Sequence, residues 1–150
     1  MFSSCDIRKA TINDVESLLI LEDECFVAPW KKENLLYELN ENPVSQVNVV
    51  CDGNKVVGFL DYWITFDSAT ICQIGVDKNY RNLKIASLLM QDMLDDCFAK
   101  RVQTITLEVR AKNLVAQKLY EKFGFVKTLV KKQYYTNGED AVYMMRKVEL

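Results

Sequence analysis

The sequence predicts a mixed α/β (α+β) domain: a mostly antiparallel sheet with one parallel strand pair and helices on both faces. Three observations predict it. A β-meander of alternating segments lies between residues 45 and 76. An amphipathic segment then separates "TICQIGV" from "TITLEV", and a helical crossover of that kind joins parallel strands. Two further strand-like segments flank the Asn-Gly of "NGED", a hairpin signal.

The elements follow in order. "CDIRKA" reads as a first strand. "TINDVESLLILEDECF" reads as a helix, with Thr11 and Asp14 spaced as a capping box. Ile12, Val15, Leu18 and Leu19 make its apolar stripe. "APWKKENLLYELNENP" predicts a second helix, opening near Pro29 and closing before Pro43. "SQVNVVC", the turn Asp52-Gly53-Asn54, "KVVGFLDYWIT", the turn "FDSA" and "TICQIGV" form the meander. The next helix carries Ile85, Leu88, Leu89 and Met93 on one face. In "QTITLEV", Ile105, Leu107 and Val109 share one face and Thr104, Thr106 and Glu108 the other. "NLVAQKLYEKFGF" reads as a helix with Asn113 as N-cap and Gly124 as the C′ residue. "FVKTLVKKQYYT" and "EDAVYMMRKV" close the order β-α-α-β-β-β-α-β-α-β-β.

Composition bounds the function. One hundred and fifty residues suit a single domain spanning 1–150, and no linker or repeat divides them. The net charge is -2 and the pI about 5.3, so the basic footprint of a nucleic-acid binder is missing. An acidic chain still suits a basic peptide or amine. The five cysteines are odd in number and scattered, without a CxxC pair. With no leader at "MFSSCDIRKA", they are expected to be reduced thiols of a cytoplasmic protein. No apolar run approaches the ~20 residues that span a bilayer. The chain contains no histidine, which removes the Ser-His-Asp and Cys-His triads and the usual zinc sites. No metal is expected, and acid–base work falls to Glu, Asp, Tyr, Cys, Lys or water.

Two stretches could carry chemistry. "GVDKNYRNLKIASLLMQDML" (Gly75 to Leu94) reads as a strand, a turn and a helix N-terminus, a natural phosphate site. Taken alone, it reads better as an ordinary helix start, since a single basic turn is a weak signal. "TLEVRAKNLVAQKLYEKFGF" (Thr106 to Phe125) puts Glu108 on the polar face of a strand and Tyr120 about two turns into the next helix, where both can converge on one cleft. Taken singly, Glu108 also reads as an edge carboxylate paired with Arg110, and Tyr120 as a core tyrosine.

Together these segments resemble the GNAT N-acetyltransferases. "YRNLKIA" is similar to the family's R/Q-x-x-G-x-G/A acyl-CoA motif, and "LEVRAKNLVAQKLYEKFGF" to its last characteristic segment. "ECFVAPWKKENLLYEL" and "KKQYYTNGEDAVYMMRK" resemble the bacterial ribosomal-protein-alanine N-acetyltransferases within it. The resemblance runs from "DIRKA" to "MMRK".

The resemblance implies the GNAT fold, with "TICQIGV" and "TITLEV" splayed apart and acetyl-CoA between them. Gln73, Ile74, Gly75 and Val76 would pair with the pantetheine arm by strand addition. The N–H groups of Arg81, Asn82, Leu83, Lys84, Ile85 and Ala86 would hold the pyrophosphate. Asn113 would contact the pantetheine or cap its helix. Glu108 would take the amine proton, directly or through water, and Tyr120 would protonate the departing thiolate. Phe26, Trp30, Tyr134, Tyr135, Glu139 and Asp140 would line the acceptor mouth. The implied acceptor is the N-terminal alanine of a small-subunit ribosomal protein, a basic terminus met by a monomer or weak dimer. A GNAT acting on a small amine or lysine, or a non-catalytic GNAT-like module, are the alternatives. The motif departs at one place: Lys84 stands at the central glycine. Glycine serves there either an unusual φ or space for the phosphate. With helical φ a lysine costs little; if space is the reason, its stem crowds the ligand.

Overall fold

The structure is a computed structural model that describes residues 5–148. Seven strands form one sheet: β1 (Cys5–Lys9), β2 (Ser45–Asp52), β3 (Lys55–Thr65), β4 (Ser68–Val76), β5 (Thr104–Arg110), β6 (Val126–Lys131) and β7 (Ala141–Lys147), in the order β1-β2-β3-β4-β5-β7-β6. Only β4 and β5 are parallel; every other neighbouring pair is antiparallel. The helices are α1 (Val15–Cys25), α2 (Lys32–Leu36), α3 (Ile85–Ala99) and α4 (Leu114–Lys122).

The alternation of strand side chains divides the core in two. Val49, Cys51, Val56 and Phe59 pack with Leu18, Leu21 and Leu35 of α1 and α2. Val50, Val57, Leu60 and Tyr62 pack on the other face, with Leu89 and Met93 of α3 and Tyr120 of α4. Ile105, Leu107 and Val109 belong to this second cluster, so Glu108 projects toward the α1/α2 side.

The Thr11 capping box forms as its spacing predicts, around a short 3₁₀ turn (Ile12–Asp14) that precedes α1. Asn113 caps α4 by accepting the Ala116 N–H at 3.1 Å, and Gly124 ends it at φ +89°.

Three expectations are corrected. The second helix opens at Lys32, not near Pro29, because the Trp30 N–H is tied back to Glu22 Oε1 at 2.7 Å. It then widens into a π-helical turn (Tyr37–Glu41), closed by the Asn42 N–H on the Tyr37 carbonyl. The segment around "NGED" is not a tight hairpin: β6 stops at Lys131 and β7 starts at Ala141, leaving a loop in which the Tyr135 N–H bonds the Glu139 carbonyl. Leu88 is 41% exposed, and Met90, Leu94 and Cys97 take the buried face of α3 instead.

The strand pairings locate the opening in the sheet. Asp61 pairs with Gln73 and Tyr62 with Ile71, so Cys72 is an extra residue that bulges β4. The parallel β4–β5 ladder ends at the same level, with Ile71 opposite Leu107. Beyond it β4 follows β3 while β5 follows β7, and the two strands part.

Gly58 fixes the start of α3 against β3. A Cβ there would lie 2.7 Å from Ile85 Cγ2 and 3.4 Å from the Gly75 carbonyl oxygen. Gly58→Ala is expected to cost about 1–3 kcal/mol through overpacking, read as a lower urea midpoint at unchanged slope.

Candidate active site

The fork between β4 and β5 opens into a cleft of about 660 Å³. Ile74, Gly75 and Val76 form one wall, Asn113, Ala116 and Leu119 the other, and Arg81, Asn82, Lys84, Ile85 and Ala86 its end. The structure thus brings nine of the eleven expected cofactor residues to one cavity. Gln73 and Leu83 are the exceptions. The Gln73 side chain is buried toward α1, where its amide donates to Glu22 Oε1 at 3.1 Å.

The turn before α3 is a backbone cradle. Asn82 and Lys84 have φ of +64° and +67°, and Lys84 occupies the N-cap with ψ 17°. Alternation of handedness in such a loop points successive N–H groups inward, an arrangement that holds anions. The N–H groups of Ile85, Ala86 and Ser87 open the helix and are of the kind left without intrahelical acceptors. Arg81 turns away from this nest. Its Nε donates to the Val76 carbonyl at 3.2 Å and a terminal nitrogen approaches Cys25 Sγ at 3.7 Å. The question raised by Lys84 has a conformational answer: the position is left-handed, so a lysine there carries a backbone cost that glycine avoids.

Glu108 is the first residue of β5 past the end of the ladder. Its carboxylate does not pair with Arg110. Lys131 Nζ lies 2.6 Å from Oε2, and the Tyr134 hydroxyl donates to Oε1 at 3.2 Å. Arg110 instead binds Glu139 at 2.7 Å and stacks 3.9 Å from the Tyr135 ring. Tyr134 and Tyr135 meet edge to face, with centroids 5.2 Å apart. Asp140 accepts the Gln133 N–H at 2.9 Å and buttresses the same loop. Tyr120 lies on the opposite face in the second core cluster, its ring 6.0 Å from that of Phe125, and it is not among the residues that line the cleft. It is 6% exposed, and burial raises its hydroxyl above the ordinary phenol range, which keeps it a neutral donor. Tyr135 lies within electrostatic reach of both Tyr120 and Glu108. Phe26 and Trp30 pack on the α1/α2 cluster, Phe26 edge to face with Phe59.

An acidic group that the sequence reading passed over underlies the fork. Asp61 is 2% exposed, and Ser45 donates to its Oδ1 at 3.2 Å. Its Oδ2 has no donor while both neighbouring carboxyls are ionised. Protonated, it can donate to Glu38, whose oxygens already accept the Trp63 indole N–H at 2.6 Å and the Asn42 amide at 2.9 Å. Burial, then the Glu38 carboxylate, push the Asp61 carboxyl up to about 9. Burial works against the Glu38 charge, yet bonds from Asp61, Asn42, Trp63 and Ser45 hold its carboxyl below its usual value. The pair therefore keeps one proton at neutral pH. The Cys72 thiol beside it is pushed up by burial and by both carboxyls, which makes it a poor nucleophile. A lone Asp in the apolar run "VVGFLDYWIT" was the available signal. Lys131 gave no comparable signal, because its contact with Glu108 spans two strand crossings.

Known proteins share this architecture. Residues 15–125 match the Acetyltransferase (GNAT) family. The chain belongs to that family. It is an N-acetyltransferase, and acetyl-CoA is the acyl donor of the fold. It is 33% identical over 145 residues, covering 96% of each chain, to a Bacillus subtilis (strain 168) protein provisionally named a ribosomal protein bS18-alanine N-acetyltransferase. Against the enzyme of that name from Escherichia coli K12 it is 28% identical, covering 92% of this chain and 94% of that one. Among solved structures, the E. coli ribosomal-protein-S18-alanine N-acetyltransferase superposes with a TM-score of 0.90 at 26% identity, covering 97% and 95% of the two chains. Ard1 from Thermoplasma volcanium superposes at 0.91 and 28% identity, covering 98% and 99%.

Two consequences can be measured. Lys84→Gly is expected to raise stability by about 1 kcal/mol, since it relieves the left-handed residue; urea unfolding reads it, and a loss of stability would contradict the assignment. For Asp61 the folded value of about 9 lies above the unfolded value near ~4, so the native state holds a proton that the unfolded chain has lost. Stability contributed by this group is full below about pH 4 and falls as pH rises toward 9. Asp61→Asn is expected to flatten that decline. Glu22, also raised by burial, leaves a smaller slope of the same sign. Urea midpoints across the neutral to alkaline range decide it.

Proposed function

We propose that this enzyme transfers the acetyl group of acetyl-CoA to the N-terminal alanine amine of a small-subunit ribosomal protein, by direct attack without a covalent enzyme intermediate. One observation carries the reading: Glu108 stands where the parallel ladder ends, on the face of the sheet opposite the helix that carries Tyr120. Donor and acceptor can then meet through the opening from two sides. The named activity of relatives similar over nearly the full chain supports the choice of acceptor.

In this reading the pantetheine arm runs along Ile74–Val76 and adds to the free edge of β4. The pyrophosphate rests on the nest from Asn82 to Ala86. Asn113 serves chiefly as the α4 cap. The acceptor arrives as an ammonium, and Glu108 takes its proton. The amine nitrogen attacks the thioester carbonyl, the C–S bond breaks, the thiolate takes the Tyr120 proton, and the nitrogen's second proton returns to the tyrosinate through water. Tyr134, Tyr135 and the Arg110–Glu139 pair form one rim of the acceptor mouth, with Phe26 and Trp30 shaping the other from beneath. The negative net charge favours a basic protein terminus.

Thiol release with a peptide beginning in alanine, set against a panel of small amines and lysine peptides, tests the acceptor; preferential turnover of a free amine would overturn it. Glu108→Gln and Tyr120→Phe are each expected to lower kcat by about 10²–10⁴ while leaving acetyl-CoA affinity, measured by calorimetry, within a few-fold. Unchanged turnover in both variants would remove these residues from the chemistry.

A further inference from the structure

Among the described residues, Lys131 is the ammonium set on Glu108. Its Nζ lies 2.6 Å from Oε2. The rings of Tyr134 and Tyr143 flank the same nitrogen, with centroids at 4.9 and 5.1 Å. A carboxylate and two aromatic faces around one nitrogen make a site for a cationic amine. It is also the place an acceptor amine must occupy if Glu108 is to take its proton. Lys131 is not held there by depth, since its side chain is 38% exposed. It reaches the position from the last residue of β6, at the start of the loop between β6 and β7.

From this placement we propose that Lys131 is an internal acetyl acceptor: the chain acetylates its own Lys131 when acetyl-CoA is bound and the acceptor mouth is otherwise empty. The inference rests on the reading of Glu108 given above. The step balances with groups already named. Glu108 takes one proton from the Lys131 ammonium. The freed amine attacks the carbonyl carbon of the thioester, a C–N bond forms, and the C–S bond breaks with its electron pair on sulfur. The nitrogen gives up its second proton as the adduct collapses and the thiolate takes it, so that an ε-acetyl-lysine and free CoA are the products and Glu108 returns its proton to solvent. No oxidant or further reactant is needed.

The geometry also sets the rate and the consequence. The Glu108 bond raises the Lys131 pKa and so disfavours the free amine, which makes self-transfer slower than transfer to a well-bound peptide. An incoming peptide must displace Lys131 from Glu108 and thereby protects it. Once acetylated, Lys131 carries no charge and cannot re-form the ion pair, so the modified chain has a mouth with altered affinity for cationic acceptors.

The experiment incubates the full chain with acetyl-CoA alone and maps acetyl-lysines by peptide mass spectrometry over time, at two protein concentrations. The expected result is one acetyl group per chain on Lys131, with a first-order rate independent of protein concentration and reduced at least severalfold by an alanine-initiated peptide. Lys132, whose side chain is 81% exposed, reports non-enzymatic acetylation in the same digest. Acetylation of Lys132 equal to or faster than that of Lys131 overturns the proposal. So does a Lys131→Arg chain, checked for folding by circular dichroism, that gains the same stoichiometry elsewhere. Peptide turnover measured on the same preparation separates the two readings. A chain that acetylates the peptide but never Lys131 refutes the internal acceptor alone. A chain that acetylates Lys131 but not the peptide supports it and refutes the assigned substrate.

Discussion

The end of one hydrogen-bonded ladder governs this molecule. Beyond Ile71 and Leu107 the backbones of β4 and β5 no longer pair, and the unpaired groups of β4 become an edge inside the sheet. An interior edge is normally a liability, because buried N–H and C=O groups without partners are costly. Here the cost is turned to use, since an extended ligand can take the place of the missing strand. Everything else is arranged around the gap. α3 starts at one end of it, α4 lines one side, and Glu108 stands at its apex.

What keeps the strands apart is also visible. The extra residue at Cys72 bulges β4, and several side chains beneath the bulge are polar. Asp61, Gln73, Glu22 and Glu38 are all less than 10% exposed. They form a buried layer under the bulge, linked by the hydrogen bond from the Gln73 amide to Glu22 and the shared Asp61–Glu38 proton. Such a layer stabilises less than an apolar one would.

The sequence made much of this legible, for identifiable reasons. Period-two alternation in "TITLEV" assigned the faces of β5 correctly, and so put Glu108 on the side away from α3. The Asn113 and Gly124 caps mark α4 because their side-chain and backbone requirements are local. Lys84 could be flagged as a departure but not interpreted, since its meaning depends on a φ that no composition reveals. The π-turn after α2 and the long loop after Lys131 have no local signature either; the contacts found beside them, Trp63 to Glu38 and Lys131 to Glu108, join residues far apart in the sequence. The partner of Glu108 required knowing that β7 lies between β5 and β6, which no local pattern states.

That strand order carries a consequence for how the chain acquires its activity during synthesis. β7 is the last of the strands to be made, yet it lies in the interior of the sheet, with β5 on one side and β6 on the other. Residues 5–131 can build the meander, α3 and the donor-side wall before it arrives, but β5 then has one unpaired flank and Glu108 has no cross-strand neighbour in Tyr143. Completion of the sheet around β5 is therefore a late event, set by long-range pairing rather than by local structure. A nascent chain would hold most of the cleft lining before the surroundings of Glu108 were complete.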